Sequence, residues 1–363
     1  MRFSPRRFKP FAPVLFNRFA PPAPRRAPLF AVRRVSLLNP ARRLPRILRL
    51  YMKSSPKPAA ARRLTKKARI VIAGAQFAVV PNDISTNLYR CIYFLRRAVD
   101  DVGARLLVFP ESITTGFNPA LPARELWELL PRTEEMLTPV QKICRELQVH
   151  CVLPTYERGA RPGIVYNSAF LIDARGQNLG VYRKTHLFPT ERLENKGWTT
   201  PGHHYPVFRT EIGTIGIHLC YDGDFPEAAR IMAVKGASIL CRPAALMRNF
   251  EIWEASNKMR AYENHVYHIA VNAIGSDAAH TTYFGHSMIV SPIAQTLALG
   301  RAVDDLIYAQ MDPNPLQRVS YGSDAPMLFD HLEDRNVGRY TKELFAPACS
   351  PFNPAKRITR LRK

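Results

Sequence analysis

The sequence predicts an α/β protein in which two β-sheets lie between outer layers of helices. Strand-like apolar runs alternate with amphipathic, helix-like stretches in the first half of residues 69–315. Pairs of strand-like runs joined by short turns then dominate the second half of that region. Neither a repeat period nor a second apolar core interrupts this order, so we expect one domain over residues 69–315.

The first elements of this domain have clear boundaries. The apolar run at 68–79 is typical of a strand that is buried on both faces. Asp83 begins the next helix and Gly103 ends it. The apolar residues of this helix recur at helical spacing: Leu88, Ile92, Leu95 and Val99. The following strand, RLLVFP, stops directly before Glu111.

The remaining elements follow in the same manner. Two helices are predicted around 122–130 and 134–148, and then the strands HCVLPTYE, IVYNSAFLID and QNLGVYRK. The loop at 185–206 is long, polar and aromatic, as binding loops are. Beyond the strand that leads to Cys220, a helix, the strand GASILCRP, a second helix, the strand HVYHIAVNAIG and two hairpin-like runs complete the sheets.

The formal net charge of +23 is concentrated at the N-terminus. Residues 1–69 contain 15 Arg, 5 Lys and 11 Pro but no acidic residue, whereas the remaining 294 residues carry 32 basic and 29 acidic side chains. Dense proline and uniform charge oppose folding, so we predict a disordered tail over residues 1–68. The near-neutral charge of the remaining residues argues against a nucleic-acid partner for the domain itself.

Three interpretations of the tail stay open. The first is an upstream extension that adds little function, with Met52 as the true start. The second is an organelle transit peptide, and the third is an arm that binds nucleic acid or an anionic membrane.

The six cysteines are scattered without metal-ligand spacing, which favours free thiols, a reducing compartment such as the cytoplasm, and a protein without a metal. No apolar run approaches the roughly 18 residues of a membrane span.

Cys220 is the central candidate for chemistry. The apolar run 215–219 predicts a buried strand that stops at this cysteine, and Pro226 begins a helical run shortly afterwards. Backbone N–H groups at such a strand-to-helix turn favour developing negative charge, which suits a nucleophile. A buried structural cysteine is the alternative interpretation.

Glu111, Lys184 and Cys220 each follow the C-terminal end of a predicted strand, at the edge where α/β sheets bind ligands. A thiol with the ordinary pKa of about 8.5 needs a base at neutral pH, and Glu111 suits that role. Attack on an amide or nitrile creates a negative oxygen or nitrogen, which Lys184 and the backbone N–H of Tyr221 can stabilise. The structural alternatives are a turn cap for Glu111 and a solvated strand end for Lys184.

Three strings around these residues resemble the catalytic signatures of the nitrilase superfamily of carbon–nitrogen hydrolases. They are VFPESITTGF around Glu111, YRKTHLF around Lys184 and HLCYDGDFPEAAR around Cys220, in the family's order and at its usual separations. The resemblance covers residues 69–312 and leaves the tail uncovered. It implies a four-layer αββα sandwich, a homodimer or higher homo-oligomer, and no cofactor, and we expect residues 316–363 to pack at the oligomer interface.

The resemblance also implies a thioester intermediate on Cys220, release of ammonia or an amine, and hydrolysis by water that Glu111 activates. Family members often carry a second glutamate shortly before an aromatic-x-Pro-Gly string. Here the string is WTTPG, residues 198–202, with one additional residue. We assign the auxiliary role to Glu194, with Glu191 as the reserve candidate.

The residues after the cysteine indicate the branch of the family. The tripeptide CYD at 220–222 resembles amidases and carbamoylases, whereas true nitrilases typically have Cys-Trp-Glu. Asp224 and Asn272 are the candidates for the substrate pocket. Asp224 either attracts a cationic amine, such as a carbamoylated polyamine, or caps the helix near Pro226. An anionic substrate would need another cation, such as Arg248 or Arg192.

The main hypothesis is therefore a cofactor-independent hydrolase of a small amide or N-carbamoyl compound. A nitrilase that converts a nitrile to an acid and ammonia is the alternative enzyme. A catalytically silent binding protein with a nucleic-acid-binding tail is the alternative from another class, although the intact set of Glu, Lys and Cys argues against it.

Overall fold

A computed structural model of the protein describes residues 69–312, 314 and 330–344. The predicted tail and most of the predicted C-terminal extension lie outside these residues. In chain order the strands are β1 (Ile70–Gln76), β2 (Ala104–Val108), β3 (His150–Arg158), β4 (Val165–Ile172), β5 (Asn178–Arg183), β6 (Val207–Thr210), β7 (Gly213–Ile217), β8 (Ile239–Ala244), β9 (Tyr267–Asn272), β10 (Ile274–Ser276), β11 (Thr282–Phe284), β12 (Met288–Val290), β13 (Thr296–Leu299) and β14 (Asp305–Met311).

The helices alternate with the early strands and become rare later, as the sequence predicts. The α-helices are α1 (Ile84–Val102), α2 (Ala123–Leu129), α3 (Thr133–Leu147), α4 (Pro226–Val234), α5 (Phe250–Tyr262) and α6 (Val337–Leu344). Two short 3₁₀ helices span Leu193–Asn195 and Cys220–Asp224. Within the described part of the chain, no helix combines the length and the apolar character that crossing a membrane requires.

The strands form two six-stranded sheets and a small two-stranded ribbon of β10 and β11. The strand order is β14-β1-β2-β3-β4-β5 in the first sheet and β13-β12-β9-β8-β7-β6 in the second. The centre of each sheet is parallel, β1 to β3 and β7 to β9, and the flanking pairs are antiparallel. The parallel strands therefore bring their carboxyl ends to one edge of each sheet.

The two sheets face each other across an apolar core. Fully buried side chains from both sheets meet there: Ile72, Leu106, Val108, Ile215, Ile217 and Ile269. Each such side chain contributes about 1.5–3 kcal/mol by leaving water. On the outer faces, α1 and α3 cover the first sheet with Phe94 and Ile143, and α4 and α5 cover the second with Met232 and Trp253. The protein is the predicted four-layer αββα sandwich.

Helix α1 begins and ends where the sequence predicts. The carboxylate of Asp83 accepts a hydrogen bond of 3.0 Å from the backbone N–H of Thr86, which satisfies one of the free donors of the first turn. At the other end Gly103 has a φ of 65°, and its N–H bonds the carbonyl of Val99 at 2.9 Å. Glycine adopts this left-handed conformation without steric cost, so the helix stops there.

Candidate active site

The three predicted catalytic residues lie in one buried site. The Nζ of Lys184 donates a hydrogen bond to Oε1 of Glu111 at 2.7 Å, and both side chains are buried. The other oxygen of Glu111 accepts from the backbone N–H of Ala245 at 3.0 Å. Ala245 lines the same small pocket as Cys220, which is itself 5% exposed. Strands β2, β5 and β7 thus deliver a carboxylate, an ammonium and a thiol to one place.

Cys220 begins a tight 3₁₀ turn between β7 and α4. Its φ of 43° lies in the left-handed region, which a side chain other than glycine rarely adopts. Such a conformation costs about 1–3 kcal/mol and persists only where the surroundings enforce it. Asp222 supplies part of that enforcement, because its N–H bonds the carbonyl of Leu219 at 2.8 Å and its carboxylate accepts from the N–H of Leu219 at 2.9 Å.

The buried carboxylate of Asp222 also ties the cysteine turn to the segment that carries Lys184. It accepts hydrogen bonds from the hydroxyl of Tyr182 at 2.7 Å and from the backbone N–H of His186 at 2.9 Å. Burial acts to raise the pKa of Asp222, but the hydrogen bonds, foremost those from His186 and Tyr182, outweigh it and lower the pKa. Asp222 is therefore a charged brace between the two segments, a role that the sequence pattern does not indicate.

A second glutamate reaches the site, and it is Glu191. Its Oε2 lies 2.5 Å from the Nζ of Lys184, so the ammonium sits between two buried carboxylates. The amide nitrogen of Asn167 donates to both of them, at 2.9 Å to Glu111 and at 2.8 Å to Glu191. Asn167 was also missed as an individual residue, although it lies in the predicted strand IVYNSAFLID, which is β4 of the structure.

The prediction of Glu194 for this position is wrong, because Glu194 is exposed on the short 3₁₀ helix Leu193–Asn195. The loop folds inward at Glu191, whose carbonyl accepts the backbone N–H groups of both Trp198 and Thr199 at 3.0 Å. The glutamate nearer to the WTTPG string in sequence is therefore directed outward, and the more distant one is buried.

The charges of the site act on one another. Burial acts to lower the pKa of Lys184, but the charges of Glu111 and Glu191 outweigh it and raise the pKa well above its ordinary value, so the side chain is an ammonium. Burial raises the pKa of Glu191. Burial also raises the pKa of the Cys220 thiol, and the negative charge of Glu111 raises it further, whereas Lys184 and Arg242 act to lower it. The resting sulfur is therefore protonated and lies within the electrostatic influence of a carboxylate.

The pocket beside Cys220 is small and mostly apolar. Its cavity volume is about 20 Å³. The residues that line it, besides the cysteine, are Phe117, Phe188, Tyr221, Ala245, Leu246, Met247 and Arg248. Such walls accept a compact, uncharged group more readily than a large or charged one.

Asp224 and Asn272 have other roles than those predicted. Asp224 does not cap α4, whose first turn has no side-chain cap; it instead forms a two-pronged ion pair with Arg248 at 2.7 and 2.9 Å. Because Asp224 neutralises Arg248, it offers no unpaired charge to a cationic amine. Asn272 does not line the pocket: its side chain is buried and accepts from the N–H of Leu246 at 2.7 Å while donating to the carbonyl of Gly285 at 3.0 Å. It braces the pocket wall from behind.

Within residues 69–312, 314 and 330–344, no group of three or more His, Cys, Asp or Glu side chains is arranged to hold a metal ion. The ionisable cluster of the site instead pairs one ammonium with two carboxylates. This arrangement suits proton transfer and the stabilisation of negative charge.

Residues 71–321 match the model of the carbon-nitrogen hydrolase family. A relative described as a probable nitrilase, from Schizosaccharomyces pombe, is 31% identical over 287 residues, which cover 76% of this chain and 98% of the relative. The chain belongs to the carbon–nitrogen hydrolase family. Another relative, an N-carbamoylputrescine amidase from Solanum tuberosum, is 29% identical over 282 residues, covering 71% of this chain and 92% of that one.

A solved structure supports the same assignment. The carbon–nitrogen hydrolase from Helicobacter pylori superposes with a TM-score of 0.66 at 25% identity, over 77% of this chain and 99% of the other. The described fold of this carbon–nitrogen hydrolase, with its two facing sheets and outer helices, is therefore the family's own.

Proposed function

We propose that the protein hydrolyses the carbon–nitrogen bond of a small amide or N-carbamoyl compound through a thioester on Cys220. The observation that carries this proposal is the buried contact of Lys184 with Glu111, directly beside the pocket that holds the thiol. The cluster supplies a nucleophile, a proton acceptor and a positive charge within one site. These three functions suffice for acyl transfer without a metal.

In the first half of the reaction the sulfur of Cys220 attacks the carbonyl carbon while its proton passes to Glu111. The negative oxygen of the tetrahedral intermediate is stabilised by Lys184 and by the backbone N–H of Tyr221. The carbon–nitrogen bond then breaks, and Glu111 returns the proton to the departing nitrogen. Ammonia or an amine leaves, and the acyl group remains on the sulfur as a thioester.

In the second half Glu111 removes a proton from a water molecule, whose oxygen attacks the thioester carbon. The carbon–sulfur bond breaks, the sulfur regains its proton from Glu111, and the acid is released. Glu191 and Asn167 assist as positioning residues, because together they hold Glu111 and Lys184 in place and keep the lysine charged.

The pocket supports a compact, uncharged acyl group such as a short aliphatic or carbamoyl group. Its walls are mainly apolar, and the charge of Arg248 is balanced by Asp224. The similarity to an N-carbamoylputrescine amidase favours the carbamoyl case. A nitrile is the second candidate substrate, favoured by the similarity to a probable nitrilase; acid formation from nitriles and not from amides would identify it.

We also infer a homodimer that forms through the outer helices of the second sheet. Ile231 and Val234 of α4 and Met259 of α5 are exposed apolar side chains on this layer, at 37%, 53% and 47%. Covering such a surface is favourable. We place the protein in a reducing compartment, consistent with the free thiols of its described cysteines.

Ammonia release from a panel of short amides, N-carbamoyl amines and nitriles tests the function. Cys220→Ala should abolish turnover, and mass spectrometry of the wild type should detect an acyl group on Cys220. Cys91→Ala is the matched control, since Cys91 is a buried thiol of α1 outside the site. Unchanged turnover in the Cys220→Ala variant would disprove the mechanism.

The silent-binding alternative is tested by deleting residues 1–51. An enzyme with a passive tail keeps its turnover after the deletion. A nucleic-acid-binding arm instead loses salt-sensitive affinity for DNA or RNA.

A further inference from the structure

We propose that Arg242 is a positioning residue of the active site, whose buried guanidinium holds the carbonyl of Cys220 and thereby fixes the direction of the thiol. The inference rests on the proposed role of Cys220 as the nucleophile. It assigns a function to the guanidinium of Arg242, which lies behind the site on β8. This guanidinium binds the backbone of Cys220 and does not contact the side chains of the three catalytic candidates.

The contacts of Arg242 are directed at the cysteine turn. Its Nε and Nη2 both donate to the carbonyl of Cys220, at 3.0 and 2.8 Å. Its Nη1 donates to Ser256 and Asn257 of α5 at 2.8 Å each. The side chain is fully buried. Burying a charge is unfavourable unless hydrogen bonds compensate its lost hydration. A guanidinium that donates two hydrogen bonds to one carbonyl oxygen therefore restrains that carbonyl.

The carbonyl that Arg242 binds belongs to Cys220, whose backbone conformation needs support from its surroundings. Cys220 has the left-handed φ of 43°, and rotation of its peptide toward an ordinary conformation would carry the side chain away from the pocket. The two hydrogen bonds from Arg242 resist that rotation. Arg260 supports the same turn by donating to the carbonyl of Gly223 at 3.1 Å.

Gly223 is shaped to admit this guanidinium. A Cβ atom at position 223 would lie 2.1 Å from Nε and 2.2 Å from Cζ of Arg242, far inside van der Waals contact. The φ of Gly223 does not lie in the left-handed region, so glycine is needed here for space and not for backbone conformation. Gly223 of the cysteine turn and Arg242 of β8 therefore form one structural unit.

The same guanidinium connects the cysteine turn with the mouth of the pocket. Its Nη2 lies 3.4 Å from Asp224, which in turn binds Arg248 of the pocket wall. Its positive charge also acts to lower the pKa of the Cys220 thiol against the effect of burial. The titratable or charged groups near Arg242 and the thiol are Glu111, Lys184, His218, Asp224, Arg248, Arg260 and His268.

The test combines turnover with the pH profile of Cys220 alkylation by iodoacetamide, followed by mass spectrometry. Arg242→Met should lower kcat/KM by about 10²-fold and move the midpoint of alkylation to higher pH by about 1 pH unit. Arg242→Lys keeps the positive charge but cannot donate the two hydrogen bonds to the carbonyl of Cys220. It should therefore lower kcat while the alkylation midpoint stays near that of the wild type. Exposed Arg105→Met is the control and should change neither quantity.

Gly223→Ala gives an independent test that leaves the arginine in the sequence. It should lower kcat/KM by about 10²-fold alone, because its Cβ displaces the guanidinium. When Gly223→Ala is added to Arg242→Met, it should lower kcat/KM by less than about 2-fold further, since the guanidinium that its Cβ would displace is then absent. A merely structural role would lower the melting temperature of these variants without moving the alkylation midpoint.

Full turnover in folded Arg242→Met or Arg242→Lys would overturn the inference, as would an unchanged alkylation midpoint in Arg242→Met or independent, multiplying losses in the double variant. If Cys220→Ala stays active, the proposed function fails instead. The two failures are therefore distinguishable.

Discussion

The ammonium of Lys184 lies 2.5 Å from Oε2 of Glu191 and 2.7 Å from Oε1 of Glu111, and all three side chains are buried. One positive charge thus balances two carboxylates away from water. Neither carboxylate can be removed without changing the charge and the position of the lysine.

Glu191→Gln should lower kcat by about 10-fold to 100-fold with little change in KM, because the variant removes a negative charge that keeps Lys184 protonated. The loss should grow toward alkaline pH, where the lysine of the variant begins to lose its proton. Steady-state kinetics as a function of pH measure both effects. Glu194→Gln is the matched control: Glu194 is exposed, and its substitution should leave kcat unchanged. Equal losses in the two variants would contradict the assignment of Glu191.

The stability of the protein should fall as the pH drops below the ordinary histidine pKa of 6.5, because of the buried pair His218 and His268. Their Nε2 atoms lie 3.0 Å apart. Burial, joined by the positive charge of Arg242, holds both pKa values well below 6.5, so the folded imidazoles stay neutral while the unfolded chain takes up protons. The folded protein therefore has its full stability above pH 6.5, and it loses stability as the pH falls from 6.5 toward the lowered folded pKa values.

Denaturant unfolding at a series of pH values checks this prediction. The free energy of unfolding should decrease by up to about 1.4 kcal/mol per pH unit for each imidazole below the ordinary pKa. His268→Gln should reduce the slope. His203→Gln, at an exposed position, should not. A slope that is equal in all three proteins would contradict the assignment to the buried pair.

Asp224→Asn should change substrate preference toward acyl groups that carry a carboxylate. In the wild type both oxygens of Asp224 bind Arg248, and the charge of the arginine is therefore unavailable to a ligand. Removing the carboxylate charge frees a guanidinium in the pocket wall, which forms strong paired hydrogen bonds with carboxylates. We expect the ratio of kcat/KM for an ω-carboxy amide to that for an uncharged amide of equal length to rise about 10-fold.

Competition assays with the two amides measure this ratio directly. Asp304→Asn is the control, because it also removes an aspartate that pairs with an arginine, Arg90, but at a place remote from the pocket lining. A ratio that stays constant in Asp224→Asn would mean that Arg248 does not face the acyl group.

The sequence by itself determined the layered fold, the start and end of α1, and the three strand ends that carry Glu111, Lys184 and Cys220. These features are local, since they follow from apolar periodicity, a capping aspartate and a terminating glycine. Asp224, Asn272 and Glu194 were placed wrongly because their side-chain directions depend on partners that are distant in sequence or on the path of a loop. Neither the distant partners nor the path of the loop can be inferred from the spacing of residues in the sequence.

Only the tertiary structure decided that Glu191 is buried beside Lys184, that Asn167 joins the two carboxylates, and that Arg242 reaches the carbonyl of Cys220. Each contact links segments that are brought together by sheet packing or by an irregular loop. The physical reason is that a buried charge takes its position from the partners that compensate its lost hydration, and those partners become neighbours only when strands distant in sequence assemble within a sheet and the loop after β5 folds back onto it.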